Sequence, residues 1–182
     1  WSNELKGDRR LVLFDHFGSM TDDDVINRIR YMARGCDCKW IFVDHLSLII
    51  SGRDDGNERK AIDMLMTKLR SLCHETKIGM LLACHLRRLD NDKGHEEGKQ
   101  VSLSHLRGSH AIAQLSDAVI GMERNQQDDD EIAKNTSTIR VLKNRYAGTT
   151  GVASYLLYSS ENGRMSEIDN PFKESADEFD TQ

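Results

Sequence analysis

Short solid apolar runs alternate along the chain with longer amphipathic stretches. Leu11–Phe14, Trp40–Val43, Ile78–Cys84 and Ala118–Met122 are the runs, and polar residues stand where they end: Asp15, Asp44, His85 and Glu123. A continuous apolar run offers both faces for burial, which predicts a central strand of a parallel sheet. Between the first two runs, Thr21 and Asp24 stand at capping-box spacing, and Asp22–Asp24 crowd the positive end of a helix. Val25, Ile26, Ile29, Met32 and Ala33 form its apolar stripe, Arg28, Arg30 and Arg34 favour its negative end, and Gly35 is a natural stop. A second helix is predicted from Glu58 to Thr76, with Ile62, Leu65, Leu69 and Leu72 on one face. Strand–helix–strand order favours parallel pairing through crossover helices.

The pattern changes after Glu123-Arg124. Asn125–Asn135 is polar and acidic and predicts a loop. Thr136–Leu142 and Val152–Tyr158 are extended runs around a Gly-punctuated turn, which predicts an antiparallel hairpin at the sheet's edge. Asn162-Gly163 is a further turn signal before a last strand over Met165–Ile168. Leu106–Leu115 predicts a turn and a short helix. The expected fold class is α/β, with a mostly parallel central sheet and an antiparallel C-terminal hairpin. Residues 1–168 are expected to form the packed portion. Residues 169–182 carry Glu174, Asp177, Glu178 and Asp180 and predict an acidic, disordered tail.

Composition narrows the function. The 182 residues carry a net charge of −5, so any nucleic-acid contact must come from local basic patches. No apolar segment reaches the length of a membrane span, and no signal-peptide pattern opens the chain. Cys36 and Cys38 lack a second pair at zinc spacing, while Cys73 and Cys84 lie in apolar runs; reduced thiols are expected. The first residue, Trp1, suggests a piece of a longer polypeptide.

Asp44 is the candidate with the clearest chemistry. Ligands of open α/β sheets bind outside the carboxyl ends of the strands. A carboxylate there can hold hydrated Mg²⁺ against nucleotide phosphates, and equally it can cap the next turn.

Taken in order, Val43-Asp44-His45, Glu58-Arg59-Lys60, Leu65-Met66-Thr67-Lys68-Leu69, Cys84-His85-Leu86 and His95-Glu96-Glu97-Gly98 form a specific series. It continues through Leu106-Arg107-Gly108-Ser109, Gln114-Leu115-Ser116-Asp117 and Glu123-Arg124-Asn125-Gln126-Gln127. The series resembles the helicase half of the bifunctional primase-helicases of T-odd phages, within the DnaB-like, RecA-fold ring helicases. The resemblance runs from about Leu11 to Tyr158 and implies a RecA-like three-layer core. It also implies NTP-driven 5′-to-3′ unwinding, with ATP or dTTP as fuel and Mg²⁺ as cofactor. Asp44 would be the metal-positioning acid, His85 the γ-phosphate sensor, and Gln114 a polar link between nucleotide and DNA. Arg145 would be an arginine finger reaching a neighbouring subunit's nucleotide, with Lys143 sharing the role. Arg124 and Tyr158 would sandwich the base. Arg87, Arg88 and Lys93, and secondarily Arg53 and Arg59, would touch the backbone of single-stranded DNA in a ring, expected to be a hexamer. The implied setting is DNA replication in the cytoplasm of an infected bacterial host.

The departures are specific. No Gly-x-x-x-x-Gly-Lys-Ser/Thr occurs in the chain, so the phosphate cradle is absent from it, and the family's catalytic glutamate is expected to be missing too. The fold is therefore expected to be incomplete at its N-terminal side, and this segment alone is not expected to hydrolyse nucleotide. Ala113 stands where the close phage relatives carry arginine. The acidic tail is like one that docks a replicative polymerase, but it does not end in an aromatic residue. The competing expectation is a non-hydrolysing RecA-like module that binds single-stranded DNA or joins a ring.

Overall fold

The computed structural model describes residues 11–14, 21–50, 58–87, 94–107 and 110–172. They fall into two compact units, one built from 1–87 with 106–116 and the other from 88–105 with 117–182.

The first unit is built around two helices that pack on a pair of strands. Helix α1 spans Asp22–Arg34 and opens with the expected capping box: the Asp24 N–H donates to Thr21 Oγ1 at 3.2 Å and the Thr21 N–H to Asp24 Oδ2 at 3.1 Å. Strand β1 is Trp40–Val43, α2 is Leu46–Ile50, α3 is Glu58–Thr76, β2 is Gly79–Leu82 and α4 is His110–Leu115. On α3, Ala61, Ile62, Leu65, Met66, Leu69 and Leu72 recur at helical spacing and are all buried. They join Val25, Ile26 and Ile29 of α1, Ile41 of β1 and Ile112 of α4 in one core. At the far end of α3, Glu75 takes Arg30 and Arg34 of α1, at 3.2 and 2.7 Å. The hydrogen bond from Arg30 holds its carboxyl below the usual range.

Strands β1 and β2 pair in parallel, Trp40 opposite Gly79 and Val43 opposite Leu82. Several expectations need correcting here. Leu11–Phe14 take no strand conformation; an apolar run of four specifies neither a partner nor its presence within reach. Trp40–Val43 is covered on one face only, with Ile41 at 3% exposure and Phe42 at 73%. Alternation aims Ile41 and Val43 at the helices, and among the described residues nothing packs on Phe42's side to match. The chain reverses after α1 at Asp37, with φ +56°, while Gly35 stays right-handed.

In the second unit, β3 (Ala118–Glu123), β4 (Thr136–Asn144), β5 (Gly151–Ser159) and β6 (Arg164–Ile168) form one antiparallel sheet in sequence order. The predicted hairpin is β4–β5, but the antiparallel part is larger than a hairpin. β3, expected beside the parallel strands, pairs with β4 instead. A short apolar run says that it is a strand and not which edge it joins. Residues 125–135, expected as loop, contain a one-turn helix, α5 (Glu131–Asn135), capped by Asp130 Oδ1 accepting the Ala133 N–H at 2.8 Å. Phe172, inside the expected tail, sets its ring 5.7 Å from that of Tyr155, so packing continues past Ile168. Residues 173–182 of the tail lie outside the described residues.

Leu65 is fully buried (0% exposed) and Met64 is 47% exposed. Leu65→Ala should therefore lower unfolding free energy by about 2–5 kcal/mol, and Met64→Ala by no more than about 0.5 kcal/mol; urea titration of the two variants checks this.

Candidate functional site

The parallel pairing carries Asp44 and His85 to the same rim. Asp44 is the residue after β1, and His85 follows β2 by three. Backbone bonds continue beyond the strands: the Ala83 N–H donates to the Val43 carbonyl at 2.9 Å and the Leu46 N–H to the Ala83 carbonyl at 3.0 Å. The His45 and His85 rings meet edge to face with centroids 4.1 Å apart. The Arg107 N–H donates to the His85 carbonyl at 3.0 Å, which pins the chain leaving β2. Asp44 and His85 are both exposed, so carboxylate and imidazole face solvent from one sheet edge. His45 Nδ1 is buried and has no hydrogen-bond partner among the described residues.

Hydrated Mg²⁺ is an ion that the exposed Asp44 carboxylate could hold. It keeps several waters and takes only one or two carboxylates besides phosphate oxygens, so a single exposed Asp44 at a strand end matches its needs. Among the described residues no cluster of three or more His, Cys, Asp or Glu could hold a metal by itself.

In the same unit, α3 and α4 border an open surface pocket of about 430 Å³ lined by Arg59, Asp63, Thr67, His110, Ala111, Gln114 and Leu115. Arg59, Asp63 and Thr67 are spaced four apart and so share one helix face. The structure thus brings together Gln114 and Arg59, two residues that the sequence suggested for separate reasons. Arg87 is exposed just beyond β2, while Arg53, Arg88 and Lys93 lie outside the described residues.

The second unit holds the remaining candidates at two opposite ends of its sheet. Arg124 follows β3, and its Nε donates to the Lys134 carbonyl at 2.7 Å and its Nη2 to Asn135 Oδ1 at 3.1 Å. Tyr158 lies near the end of β5, one residue beyond Leu157, which pairs with Thr136 at the start of β4. Arg124 and Tyr158 therefore share one end. Lys143 and Arg145 belong to the other, where Ala118 pairs with Asn144. Arg145 lies one residue past β4. Its N–H donates to the Asp117 carbonyl at 2.8 Å, and its Nη1 to Asp117 Oδ1 at 3.0 Å. From Thr136 to Asn144 an extended strand covers roughly 27 Å at about 3.4 Å per residue.

Sequence reasoning missed Glu123. It is 8% exposed and accepts the Val101 N–H at 2.9 Å, Arg140 Nε at 2.7 Å and Arg140 Nη2 at 3.0 Å. That hydrogen-bonded pairing raises the Arg140 pKa further above its ordinary value. The pair ties the 94–105 segment to the sheet beside Arg124; the Gln126 N–H to the Glu96 carbonyl, at 2.8 Å, is a second tie. A signal existed: Glu123 falls on the buried parity of β3, with Val119 and Gly121, and a carboxylate there requires a partner.

The α/β arrangement, with a parallel and an antiparallel sheet, has the RecA-like ATPase fold. It is similar to a solved ATPase domain of the DnaB family, with a TM-score of 0.66 and 18% identity, covering 83% of this chain and 52% of that one. The chain belongs to the DnaB-like helicase C terminal domain family, which matches residues 4–167. It is 42% identical over 163 residues to the DNA helicase/primase of Enterobacteria phage T3, covering 90% of this chain and 28% of that protein. It is 28% identical over 141 residues to a probable plasmid replicative DNA helicase of Chlamydia psittaci, covering 78% of this chain and 30% of that protein. The chain thus spans less than a third of the length of either relative.

Burial raises the Cys84 thiol pKa above its ordinary value, one residue before His85. Less thiolate forms at a given pH, so alkylation of Cys84 at pH 8 should be slower in the folded chain than in denaturant. Because the folded value is the higher one, Cys84's contribution to stability is complete below the ordinary thiol range and is lost as pH rises through the raised value. Mass-resolved alkylation rates and urea titrations across alkaline pH check both.

Proposed function

We propose that this chain is the C-terminal part of the motor of a replicative DNA helicase that unwinds DNA at a phage replication fork. The observation that carries the reading is the single rim on which parallel pairing sets Asp44 and His85. On this reading Asp44 positions hydrated Mg²⁺ against the phosphates of ATP or dTTP. When bound there, the ion would neutralise phosphate charge. His85 donates to a γ-phosphate oxygen and changes partner once that oxygen leaves. Through the bond at its carbonyl, His85 is joined to the segment leading into α4 and the Gln114–Arg59 pocket. That segment would pass the phosphate state to DNA.

Arg124 and Tyr158 would hold the base between a guanidinium plane and a phenol ring. Their separation from Arg145 along β4 favours Arg145 acting on a different nucleotide, bound by the adjoining subunit of a ring, expected to be hexameric. Lys143, at the same end of the sheet, would add positive charge there. Single-stranded DNA would meet Arg87, Arg88 and Lys93, with Arg53 and Arg59 as a second group, through its phosphates. Translocation 5′-to-3′ in the cytoplasm of an infected bacterium, and polymerase docking by the acidic tail, complete the proposal. Among the described residues no helix is long and apolar enough to cross a membrane.

The test is nucleotide turnover by the parent polypeptide that joins this chain to a phosphate-binding loop, with and without single-stranded DNA. Asp44→Asn should abolish DNA-stimulated turnover, and Arg145→Ala should lower it by about 10³-fold or more. If Asp44→Asn and Arg145→Ala both left stimulated turnover intact, this chain would contribute DNA binding or ring assembly and not hydrolysis.

A further inference from the structure

We infer that Asp117 is the positioning residue for Arg145, holding its guanidinium in the attitude from which it reaches a neighbouring nucleotide. The inference rests on the reading of Arg145 as a finger acting in trans. It adds the element that aims the finger.

Asp117 immediately precedes β3, and Arg145 immediately follows β4, whose ends pair as Ala118 with Asn144. The two residues are thus the next rung of the ladder. The Arg145 N–H donates to the Asp117 carbonyl at 2.8 Å, which fixes the backbone. Arg145 Nη1 donates to Asp117 Oδ1 at 3.0 Å, which fixes the far end of the side chain. The exposures are 42% for the Arg145 side chain and 30% for that of Asp117, so the guanidinium is gripped at the surface rather than buried.

The turn beyond is equally fixed. Asn144 Oδ1 accepts the Tyr146 and Ala147 N–H groups, each at 3.1 Å, and the Asn144 carbonyl accepts the Gly148 N–H at 2.9 Å. Gly148 closes the turn in the left-handed region, at φ +70°.

An unpaired arginine samples many rotamers and must lose that freedom when it meets a phosphate. Holding both ends of the side chain in advance removes most of that ordering cost from the catalytic step. A guanidinium has five donors in a planar fork, so it can keep a carboxylate on one edge while presenting another to phosphate oxygens. An exposed ion pair contributes little to stability. The placement of Asp117 therefore makes better sense as aim than as a source of folding energy.

The experiment compares Asp117→Ala, Asp117→Asn and Arg145→Ala in the same parent polypeptide, measuring DNA-stimulated turnover, nucleotide KM and thermal unfolding. Asp117→Ala should lower kcat about tenfold with KM changed less than about twofold, the mark of an interaction made in the transition state. Asp117→Asn keeps an acceptor at the same place and should retain more turnover than Asp117→Ala. Unfolding midpoints should stay close to that of the unsubstituted protein. Rings mixed from Asp117→Ala and Asp44→Asn subunits should then regain turnover, because each intact Asp44 site can sit beside a correctly aimed Arg145.

Unchanged kcat in Asp117→Ala, alongside a crippled Arg145→Ala, would overturn the inference and leave the proposed function standing. Lost turnover that mixing does not restore would place Asp117's effect in its own subunit and also overturn it. If Arg145→Ala itself were active, the reading of the finger would fail first.

Discussion

Parallel hydrogen bonding between β1 and β2 is the constraint on which the rest of the site depends. Two strands running the same way deliver their carboxyl ends to one edge, and whatever follows each strand arrives there together. Asp44 and His85 are 41 positions apart in sequence, yet the ladder from Trp40–Gly79 to Val43–Leu82 leaves them no choice of edge. The helices that make this pairing possible are held by apolar contact. Leu65, Leu69 and Leu72 of α3 share one buried core with Ile41 of β1. A one-residue slip would turn Ile41 and Met80 outward and exchange core for solvent along both strands.

The antiparallel unit solves a different problem by the same geometry. An antiparallel sheet places alternate strand ends at opposite edges, so β3 and β5 finish where β4 begins. Arg124 and Tyr158 are gathered at that edge, and Arg145 is removed to the other. A single protomer cannot readily bring both groups to one nucleotide when a strand's length lies between them. On the proposed reading, the length of β4 is the reason for dividing the work between subunits.

Buried charge marks the places where the second unit is tied down. Glu123 is taken out of water and answered by Arg140 and the Val101 N–H, so its removal would strand Arg140 without its carboxylate. This linkage runs from the sheet beside Arg124 into the segment that follows the basic loop.

Local order was legible in the residues. The capping box at Thr21, the apolar face of α3, the β4–β5 hairpin and the polar terminators Asp44 and His85 all come from spacing and residue type, which act within a few positions. Partner choice was not. Nothing in Ala118–Met122 says that β3 joins β4 rather than a parallel neighbour, and nothing in Trp40–Val43 says that only Ile41's face is covered. The five-residue α5 was hidden because one turn of helix has no periodicity to read, although Asp130 supplied its cap. Asp117 and Glu123 were given no role of their own because their meaning lies in what they touch, Arg145 and Arg140, across paired strands. Propensity and spacing are properties of neighbouring residues, whereas edges, rims and ion pairs exist only once distant segments share a surface.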